Sequence, residues 1–487
     1  MLRTVFVLVI LIPGMAAAVA SRFAALLVYL WFSLFRPQEW LWVDITPLRL
    51  SLLLSLLVVI PRGWLLSDFV NALPLKRRLA LEAWPNLSHP LTVGTALFLV
   101  TALAAQPGAY NQTLGWQWLD YLWRLLLVSM VAVSLINTRQ RFMAVITVSA
   151  ASIGFHSARA GVASLFGGGV RFGAGLGGAY VDNNGWAMAI VMVLPFLVAV
   201  GQNTDRRLLR WLLWASIVPS FYTIISTFSR AGFLGAVSVT VVLAALQRRR
   251  AAALGALALI GLLAYVVVPM PAGYSDRVQT IQTYQDVGEE SALSRLHFWR
   301  VAVDMVRDHP LGVGIRNYDS AYDRYDFSGG RFGNGRSVHS SHFQVLAELG
   351  FGGAMIWVAQ FAYAFFACAR IRSRSRHFAL SEADRRFYFT MANALIVSMV
   401  GFLIGGAFIA LALNDLTWIS FALVAALDRL SARAISIERP TEPRLDGRMS
   451  PRTDDAPRRT PPFRGASRRL GLTLPRVLYT RSAVVIP

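Results

Sequence analysis

The chain has 487 residues, of which 55% are hydrophobic and only 15% are charged, and its mean hydropathy is +0.51. Because a soluble domain carries about a quarter charged residues, this composition excludes an ordinary soluble protein and indicates an integral membrane protein. The formal net charge of +21 would suggest nucleic-acid binding in a soluble chain. In a membrane protein it is typical of cytoplasmic loops, which collect Lys and Arg, so we expect membrane lipids and no nucleic acid as partners.

Apolar runs of roughly 14–25 residues recur along most of the chain, which suits a hydrocarbon core about 30 Å thick. They predict an all-α polytopic membrane protein with about 12–13 transmembrane helices. The predicted spans are 4–19, 22–35, 47–61, 92–105, 119–136, 142–165, 185–201, 209–227, 231–247, 251–269, 346–370, 387–411 and 414–429. The first span also resembles a signal peptide, with a basic start and an apolar core before small residues. We favour an uncleaved span, because cleavage would leave the arginine-rich tail outside, against the charge rule.

The loops between the spans alternate between arginine-rich and charge-poor segments. The positive-inside rule places the arginine-rich loops in the cytoplasm, so residues 270–345 lie outside, in the periplasm of a cell that has one. The tail holds many Arg and Pro with few large apolar residues and is expected to be disordered. The predicted segments are an N-terminal transmembrane bundle at 1–269, a large periplasmic loop at 270–345, C-terminal transmembrane helices at 346–430 and a disordered basic cytoplasmic tail at 431–487.

The outer loop carries one clear helical pattern. Apolar residues at spacings of three and four predict an amphipathic helix from about Ser291 to Asp308. Its predicted apolar face consists of Leu296, Trp299, Val303 and Val306. The segment HPLGVG ends the helix and permits a tight turn. The following SGGRFGNGR lacks the flanking strand and helix of a phosphate-binding loop, and we expect a flexible flap instead.

Several stretches carry a resemblance to a known family. RLHFWRVAVDMVRDHPLGVGIRNYDSAYDRY, followed by HSSHFQVLAELGFGG, resembles the signature region of the O-antigen ligase and polymerase superfamily, with its arginine, tryptophan, glycine turn and outer-loop histidine. TFSRAGFLG, at 227–235, resembles the SRG motif of that family, and DNNGWAMAIVMVLPF is a further match. The opening YLWFSLFRPQEW resembles a subgroup described as exosortase-associated O-glycosylation ligases.

The resemblance implies a C-type glycosyltransferase-like helix bundle in the inner membrane. Such proteins transfer a glycan from undecaprenyl pyrophosphate to an acceptor hydroxyl on the periplasmic side, without a metal or cofactor, and we expect inversion at the anomeric carbon. The acceptor is a lipid A–core sugar or a protein for a ligase and another lipid-linked glycan for a polymerase, and the sequence leaves this choice open. Three positions depart from the expected pattern. Ser340 and Ala231 stand where Asn and Gly are frequent in the family, and Leu349 stands where the exosortase-linked subgroup often has His.

The acceptor hydroxyl must lose a proton, and His339 is the candidate catalytic residue for accepting it. Histidine titrates near neutral pH, and the position of His339 matches the family histidine. Capping of the next helix, binding of the diphosphate and orientation of the acceptor are its alternative roles. His342 follows one turn later, and we interpret it as an interfacial or supporting residue. No carboxylate or thiol completes a metal site with these histidines, and the single cysteine, Cys368, excludes an intrachain disulfide.

The departing diphosphate needs cations, and a planar guanidinium group suits phosphate oxygens. Arg230 lies at the outer end of a predicted span, and Arg295 matches the family arginine that precedes the tryptophan. These two are the strongest candidates for holding the diphosphate. Arg316, which follows the glycine turn, and Arg171 and Arg159 at outer ends of spans are further candidates for substrate binding.

Asp182 and Asn183 are candidates for binding the acceptor, with loop capping as the alternative, and Glu348 is a candidate second base or an ion-pair partner for an arginine. A flippase or transporter is the rival class of protein. Transporters often carry inverted repeats and ionisable residues near the membrane centre. Here the candidate residues gather near one face, which favours an enzyme, although Asp120 and Arg124 lie inside a span, where they can pair as an i, i+4 bridge.

Overall fold

The structure is a computed structural model that describes residues 2–42, 44–60, 87–167, 169, 171–247, 250–255, 258–259, 289–377 and 380–438. The α-helices are α1 (Leu2–Ala20), α2 (Arg22–Phe35), α3 (Leu50–Val59), α4 (Pro90–Ala105), α5 (Gln112–Leu135), α6 (Arg139–Phe166), α7 (Asn183–Asn203), α8 (Arg207–Ala215), α9 (Ile217–Ser226), α10 (Arg230–Ala245), α11 (Glu289–Asp308), α12 (Tyr318–Tyr325), α13 (Ser341–Arg374), α14 (Glu382–Gly406) and α15 (Asp415–Glu438). Strands β1 (Ala174–Gly177) and β2 (Tyr180–Asp182) form a short antiparallel hairpin. The predicted loop residues 270–288 and tail residues 440–487 lie outside the described residues.

The prediction of an all-α polytopic membrane protein is confirmed. Within the described residues, seven helices are long and apolar enough to cross a membrane. They are Arg3–Ala20, Pro90–Gly108, Gln112–Leu135, Asn183–Asn203, Arg207–Ser226, Ser341–Arg374 and Glu382–Gly406, and shorter apolar helices occur at Arg22–Phe35, Thr46–Val59 and Arg230–Ala245. Helices α6 and α15 coincide with two further predicted spans. Most of the predicted span 251–269 lies outside the described residues.

Helix α7 forms the centre of the bundle, and most of its residues are buried. Helices α10 and α14 approach α7 closely at glycines. A Cβ atom added at Gly401 of α14 would lie 2.8 Å from Val191 of α7 and 2.5 Å from Val239 of α10. Small residues at such crossings allow membrane helices to pack through close van der Waals contact. This packing fixes the two ends of α7, which are about 30 Å apart at a rise of about 1.5 Å per residue.

Outside the bundle, α11 and α12 pack against the start of α13 around a second hydrophobic cluster. Its buried members are Phe298, Val301, Ala302, Met305, Val313, Tyr318, Ala321, Tyr322, Val338 and Ala347. The predicted helix ending at Asp308 is confirmed. Its predicted face is partly wrong, because Val306 is buried but Leu296 is 59% exposed. Apolar residues occupy two adjoining stripes of α11, and only the contact with α12 and α13 selects the stripe around Phe298 and Met305.

Two helices extend beyond the predicted segments. Helix α13 begins at Ser341, five residues before the predicted span 346–370, because Ser340 has the extended backbone and the accepting hydroxyl of an N-cap. Helix α15 continues to Glu438, beyond the predicted start of the tail at 431. Its continuation has a physical reason, since Ala434 and Ile435 still pack against the main hydrophobic core.

Candidate functional site

A cavity of about 330 Å³ lies at the end of the bundle where α7 begins and α14 ends. We call it the outer cavity. Its lining residues are Trp118, Gly178, Ala179, Val181, Asp182, Asn184, Arg316, Asp319, Ser337, His339, Gln344, Phe408, Ile409, Ala410, Leu411 and Leu413. The fold therefore brings together three residues that the sequence analysis selected, His339, Arg316 and Asp182, although they are distant in the chain.

His339 lies immediately before α13 in a backbone conformation that is rare for a residue with a side chain. Its φ angle is 46°, and such left-handed residues cost about 1–3 kcal/mol and cluster at functional sites. The half-buried imidazole lies 5.9 Å from the ring of Phe298. Burial lowers the pKa of His339, and the charges of Arg295 and Arg336 lower it further. Asp182 opposes this shift, but the ring is still neutral at pH 7 and can accept a proton.

Hydrogen bonds fix the turn that carries His339 against the segment between α14 and α15. The Ser341 hydroxyl accepts from the N–H of Leu411 at 3.0 Å. Gln344 Oε1 accepts from the N–H of Ala412 at 3.1 Å. Because residues of this segment also line the outer cavity, these bonds fix that part of the lining next to the turn of His339.

Arg316 reaches the outer cavity from a loop that pairs with a break in α13. Gly350, with a φ of 69°, interrupts the helix, and the freed carbonyl of Glu348 accepts from the N–H of Gly314 at 3.1 Å. A Cβ atom on Gly312 would lie 2.3 Å from the same carbonyl oxygen, so this close approach requires glycine. The predicted tight turn in HPLGVG therefore places Arg316 at the outer cavity.

The Arg316 guanidinium lies 4.8 Å from the centroid of the Trp118 ring, which also lines the outer cavity. Burial raises the pKa of the neighbouring Asp319, and Arg316 opposes that shift. Glu348 is not among the lining residues and is only 3% exposed. Its carboxyl group accepts from Gln344 Nε2 at 3.3 Å and interacts with the backbone N–H and the charge of Arg316. The position of Glu348 therefore suits pairing with an arginine.

The start of α7 supplies polar groups to the opposite side of the outer cavity. Asp182 lines the cavity and caps α7 by accepting from a backbone N–H at 2.6 Å. Asn183 is not part of the lining, because its amide donates to Thr227 O at 2.8 Å. Asn184 lines the cavity in its place and accepts from the Ser229 hydroxyl at 2.7 Å. Asn184, rather than Asn183, is therefore the candidate for acceptor binding in this motif.

Arg230 and Arg171 flank this side of the outer cavity without lining it. Arg230 is the first residue of α10 and follows Ser229, which is joined to Asn184 in the cavity wall. The Arg230 Nε atom is buried and has no hydrogen-bond partner among the described residues. The Arg171 guanidinium lies 5.1 Å from the ring of Phe228 at the same corner.

The two remaining predicted arginines lie in different places. Arg295 is close to the outer cavity, since its guanidinium lies 5.9 Å from the ring of the lining residue Phe408. Arg159 belongs to a separate aromatic cluster. Its guanidinium lies 5.2 Å from the Trp40 ring, which is packed edge-on against His156. The fold thus brings Arg295, but not Arg159, beside His339.

Arg36 is a candidate that sequence reasoning missed. It follows α2 with a φ of 54° and packs under the turn of the β-hairpin. A Cβ atom on Gly178, a lining residue, would lie 2.3 Å from Arg36 Nη1. The Arg36 Nε atom has no hydrogen-bond partner in the described part of the chain. Its segment, RPQEW, was selected only through its family resemblance. No local sequence pattern predicts that the turn of the β-hairpin packs against Arg36.

His342 is occupied by structural hydrogen bonds. Trp357 Nε1 donates to His342 Nδ1 at 3.1 Å, so His342 Nε2 carries the proton and donates to Leu403 O at 3.1 Å. These bonds tie α13 to α14, in agreement with the supporting role that we expected. Among the described residues, no group of three or more His, Cys, Asp or Glu side chains is arranged to hold a metal ion.

Comparison with known proteins identifies two parts of the chain. Residues 215–358 match the family model described as O-antigen ligase, and residues 1–193 match a model described as a family of unknown function, DUF5935. No curated protein matches the chain. A chain solved in "Structural coordination of polymerization and crosslinking by a peptidoglycan synthase complex" is 16% identical with a TM-score of 0.34, and the match covers 71% of this chain and 97% of that chain.

The fold and the outer cavity define a polytopic membrane protein that has a histidine and guanidinium groups at one end of its helices. The match at residues 215–358 confirms the predicted O-antigen ligase superfamily and supports a membrane glycan-transfer or ligase role. The exosortase-associated subgroup remains a prediction. The O-antigen ligase match contains Arg230, Arg295, Arg316, His339 and Glu348, whereas the match at residues 1–193 contains Arg36, Trp118 and Asp182. The outer cavity is therefore built from both matched regions.

Proposed function

We propose that this chain is an O-antigen ligase-type glycosyltransferase, which moves a glycan from undecaprenyl pyrophosphate to an acceptor hydroxyl on the outer face of the inner membrane. The observation that carries this proposal is His339, held on a strained turn and lining the same cavity as Arg316. The arginine-rich loops at the other end of the helices support an outward-facing site. The superfamily match supports the reaction class.

In the proposed reaction, His339 accepts the proton of the acceptor hydroxyl while its oxygen bonds to the anomeric carbon. The bond between that carbon and the pyrophosphate oxygen breaks, and undecaprenyl pyrophosphate leaves with the electron pair. A single displacement of this kind inverts the anomeric carbon. Arg316 and Arg295 stabilise the developing negative charge, because fixed guanidinium groups are already oriented when that charge develops.

The remaining groups of the site have binding roles in this proposal. Arg36, Arg171 and Arg230 flank the outer cavity and attract the two phosphates of the donor. Asp182 and Asn184, on the opposite side, bind hydroxyl groups of the glycan or of the acceptor. Since guanidinium groups supply the positive charge, we propose that transfer needs no metal ion.

Glycan transfer in proteoliposomes tests the proposal. Wild-type protein and His339→Ala each receive undecaprenyl-pyrophosphate glycan and EDTA, with a lipid A–core, a protein or a second lipid-linked glycan as acceptor. His309→Ala is the matched control, because His309 lies in the same outer region but does not line the outer cavity.

Wild-type transfer in EDTA that is lost only in His339→Ala would support the enzyme and its site. The acceptor that is used distinguishes a ligase from a polymerase. Equal transfer by wild type and His339→Ala would remove His339 from the reaction. Glycan lipid that crosses the bilayer without transfer to any acceptor would favour a flippase.

A further inference from the structure

A second cavity of about 380 Å³ lies at the opposite end of the same helices. We call it the inner cavity. Helix α7 begins at the outer cavity, where Asn184 is a lining residue, and Gln202 near its other end lines the inner cavity. Helix α14 runs in the reverse direction between the same two cavities. Along α7, the lining of the inner cavity extends from Pro195 to Gln202, about 16–27 Å from Asn184 at a rise of about 1.5 Å per residue, so the two cavities lie toward opposite ends of the helix.

The polar residues that line the inner cavity are basic or uncharged. Its polar residues are Gln202, Arg210, Trp214, Gln247, Arg386, Thr390 and Asn393, and none of the lining residues is acidic. Among the described residues, neither Arg210 nor Arg386 forms an ion pair with a carboxylate. Two cations with uncharged hydrogen-bonding neighbours form a site for an anion, since guanidinium groups suit phosphate oxygens.

Several polar atoms at this wall lack a hydrogen-bond partner. They include Trp214 Nε1, Arg210 Nε and Asn393 Oδ1 within the described part of the chain, and Asn393 is only 5% exposed. The other end of the Arg210 guanidinium is fixed, because Nη2 donates to Thr204 O at 2.7 Å. The Trp214 Nε1 atom lies against α7, since a Cβ atom added at Gly201 would lie 2.2 Å from it. The guanidinium groups of the lining residues Arg210 and Arg386 are therefore the groups that can meet an anion in the inner cavity.

The residues around the inner cavity indicate that such a phosphate belongs to a membrane lipid. Helix α8 carries Arg210 into the inner cavity and exposes Leu208 at 74%, Trp211 at 57% and Leu212 at 59%. A short helix with arginines and exposed Leu and Trp is typical of the membrane interface. Apolar side chains such as Val198, Leu243 and Phe389 complete the lining, so the inner cavity offers a basic site next to a surface for acyl chains.

We propose that the inner cavity binds the phosphate headgroup of an anionic phospholipid from the leaflet opposite to the outer cavity. Arg210 and Arg386 bind the phosphate oxygens. The acyl chains lie along the exposed apolar side of α8. This site does not depend on the glycan-transfer reaction and can be tested without it.

Lipid binding by the purified full chain tests the site. Native mass spectrometry compares phosphatidylglycerol with phosphatidylcholine, and inorganic phosphate is added as a competitor. The variant is the double change Arg210→Gln with Arg386→Gln. Arg207→Gln is the matched control, because it removes a neighbouring exposed arginine that does not line the inner cavity.

We expect wild type to prefer phosphatidylglycerol and the double variant to bind it at least about tenfold more weakly. The Arg207→Gln control should bind like wild type. The same order should appear in the rise of Tm that the lipid causes, which shows that the folded variants differ in binding. Equal binding of both lipids, or a double variant that binds like the control, would overturn the site. Inorganic phosphate that binds with the same dependence on the arginines, without a lipid preference, would overturn the lipid assignment.

Discussion

The two cavities at the ends of α7 share guanidinium groups but differ in what accompanies them. The outer cavity combines Arg316 with the carboxylates of Asp182 and Asp319 and with a titratable His339, whereas the inner cavity has no acidic or histidine residue in its lining. Arginines alone indicate an anion site. A group that accepts a proton near neutral pH is what separates a site suited to chemistry from one suited only to binding.

Backbone strain makes the same distinction. Both His339 and Arg316 have positive φ angles, and the loops that carry them are fixed by hydrogen bonds to α13 and to the segment before α15. The residues that line the inner cavity come from regular helices or their immediate ends. Strained loops that are rigidly supported are frequent where side chains must meet a reacting group.

The largest expected effect comes from removing the proton acceptor. His339→Gln should lower the rate of glycan transfer about 10²- to 10⁴-fold, the usual contribution of general base catalysis. Phosphatidylglycerol binding at the inner cavity should not change. Steady-state transfer assays together with lipid binding on the same preparation measure both quantities. A variant that loses lipid binding as well would show that the two ends of the bundle are not independent.

A smaller loss is expected when a charge is removed from the outer cavity. Arg316→Gln should reduce kcat/KM about 10- to 100-fold, because hydrogen bonds to charged groups contribute about 1.5–3 kcal/mol each. Arg316→Lys should recover only part of this loss, since lysine keeps the charge without the planar fork. Arg300→Gln on α11, which does not line the outer cavity, is the control. If Arg300→Gln reduced kcat/KM as much as Arg316→Gln does, the effect of Arg316 would come from the overall positive charge of the protein.

The pH dependence of transfer is the next test of the comparison. The reactive form of His339 is neutral, so transfer should fall as the pH drops through its pKa, which burial and the Arg295 charge hold below 6.5. Arg295→Gln keeps the His339 ring buried and removes one positive charge near it, so the pKa of His339 should rise. The acid limb of the pH profile of kcat/KM should therefore move to higher pH. Arg307→Gln, on the exposed side of the same helix, should leave it in place, and an unchanged limb in Arg295→Gln would contradict the proposed influence of Arg295.

The sequence allowed the helical membrane architecture to be predicted, because apolar runs are local properties. The order of motifs also selected three residues that line the outer cavity, His339, Arg316 and Asp182, and their roles stay predictions. Arg36 and Asn184 were missed, since their positions depend on a hairpin turn and on a cap that only the folded chain defines. Both misses have the same cause, because a motif gives a residue's place in the chain and not the direction of its side chain.

The smallest expected effect separates the two histidines that stand three residues apart. His339 lines the outer cavity, whereas His342 is held between Trp357 and Leu403. Trp357→Phe removes one hydrogen bond to His342 and should lower the free energy of unfolding by about 1 kcal/mol. Thermal unfolding in detergent should show the lower Tm, while kcat and the pH profile of transfer stay those of wild type. A shifted pH profile would instead mean that His342 contributes to proton transfer, because a purely structural bond between α13 and α14 has no effect on the titration of His339.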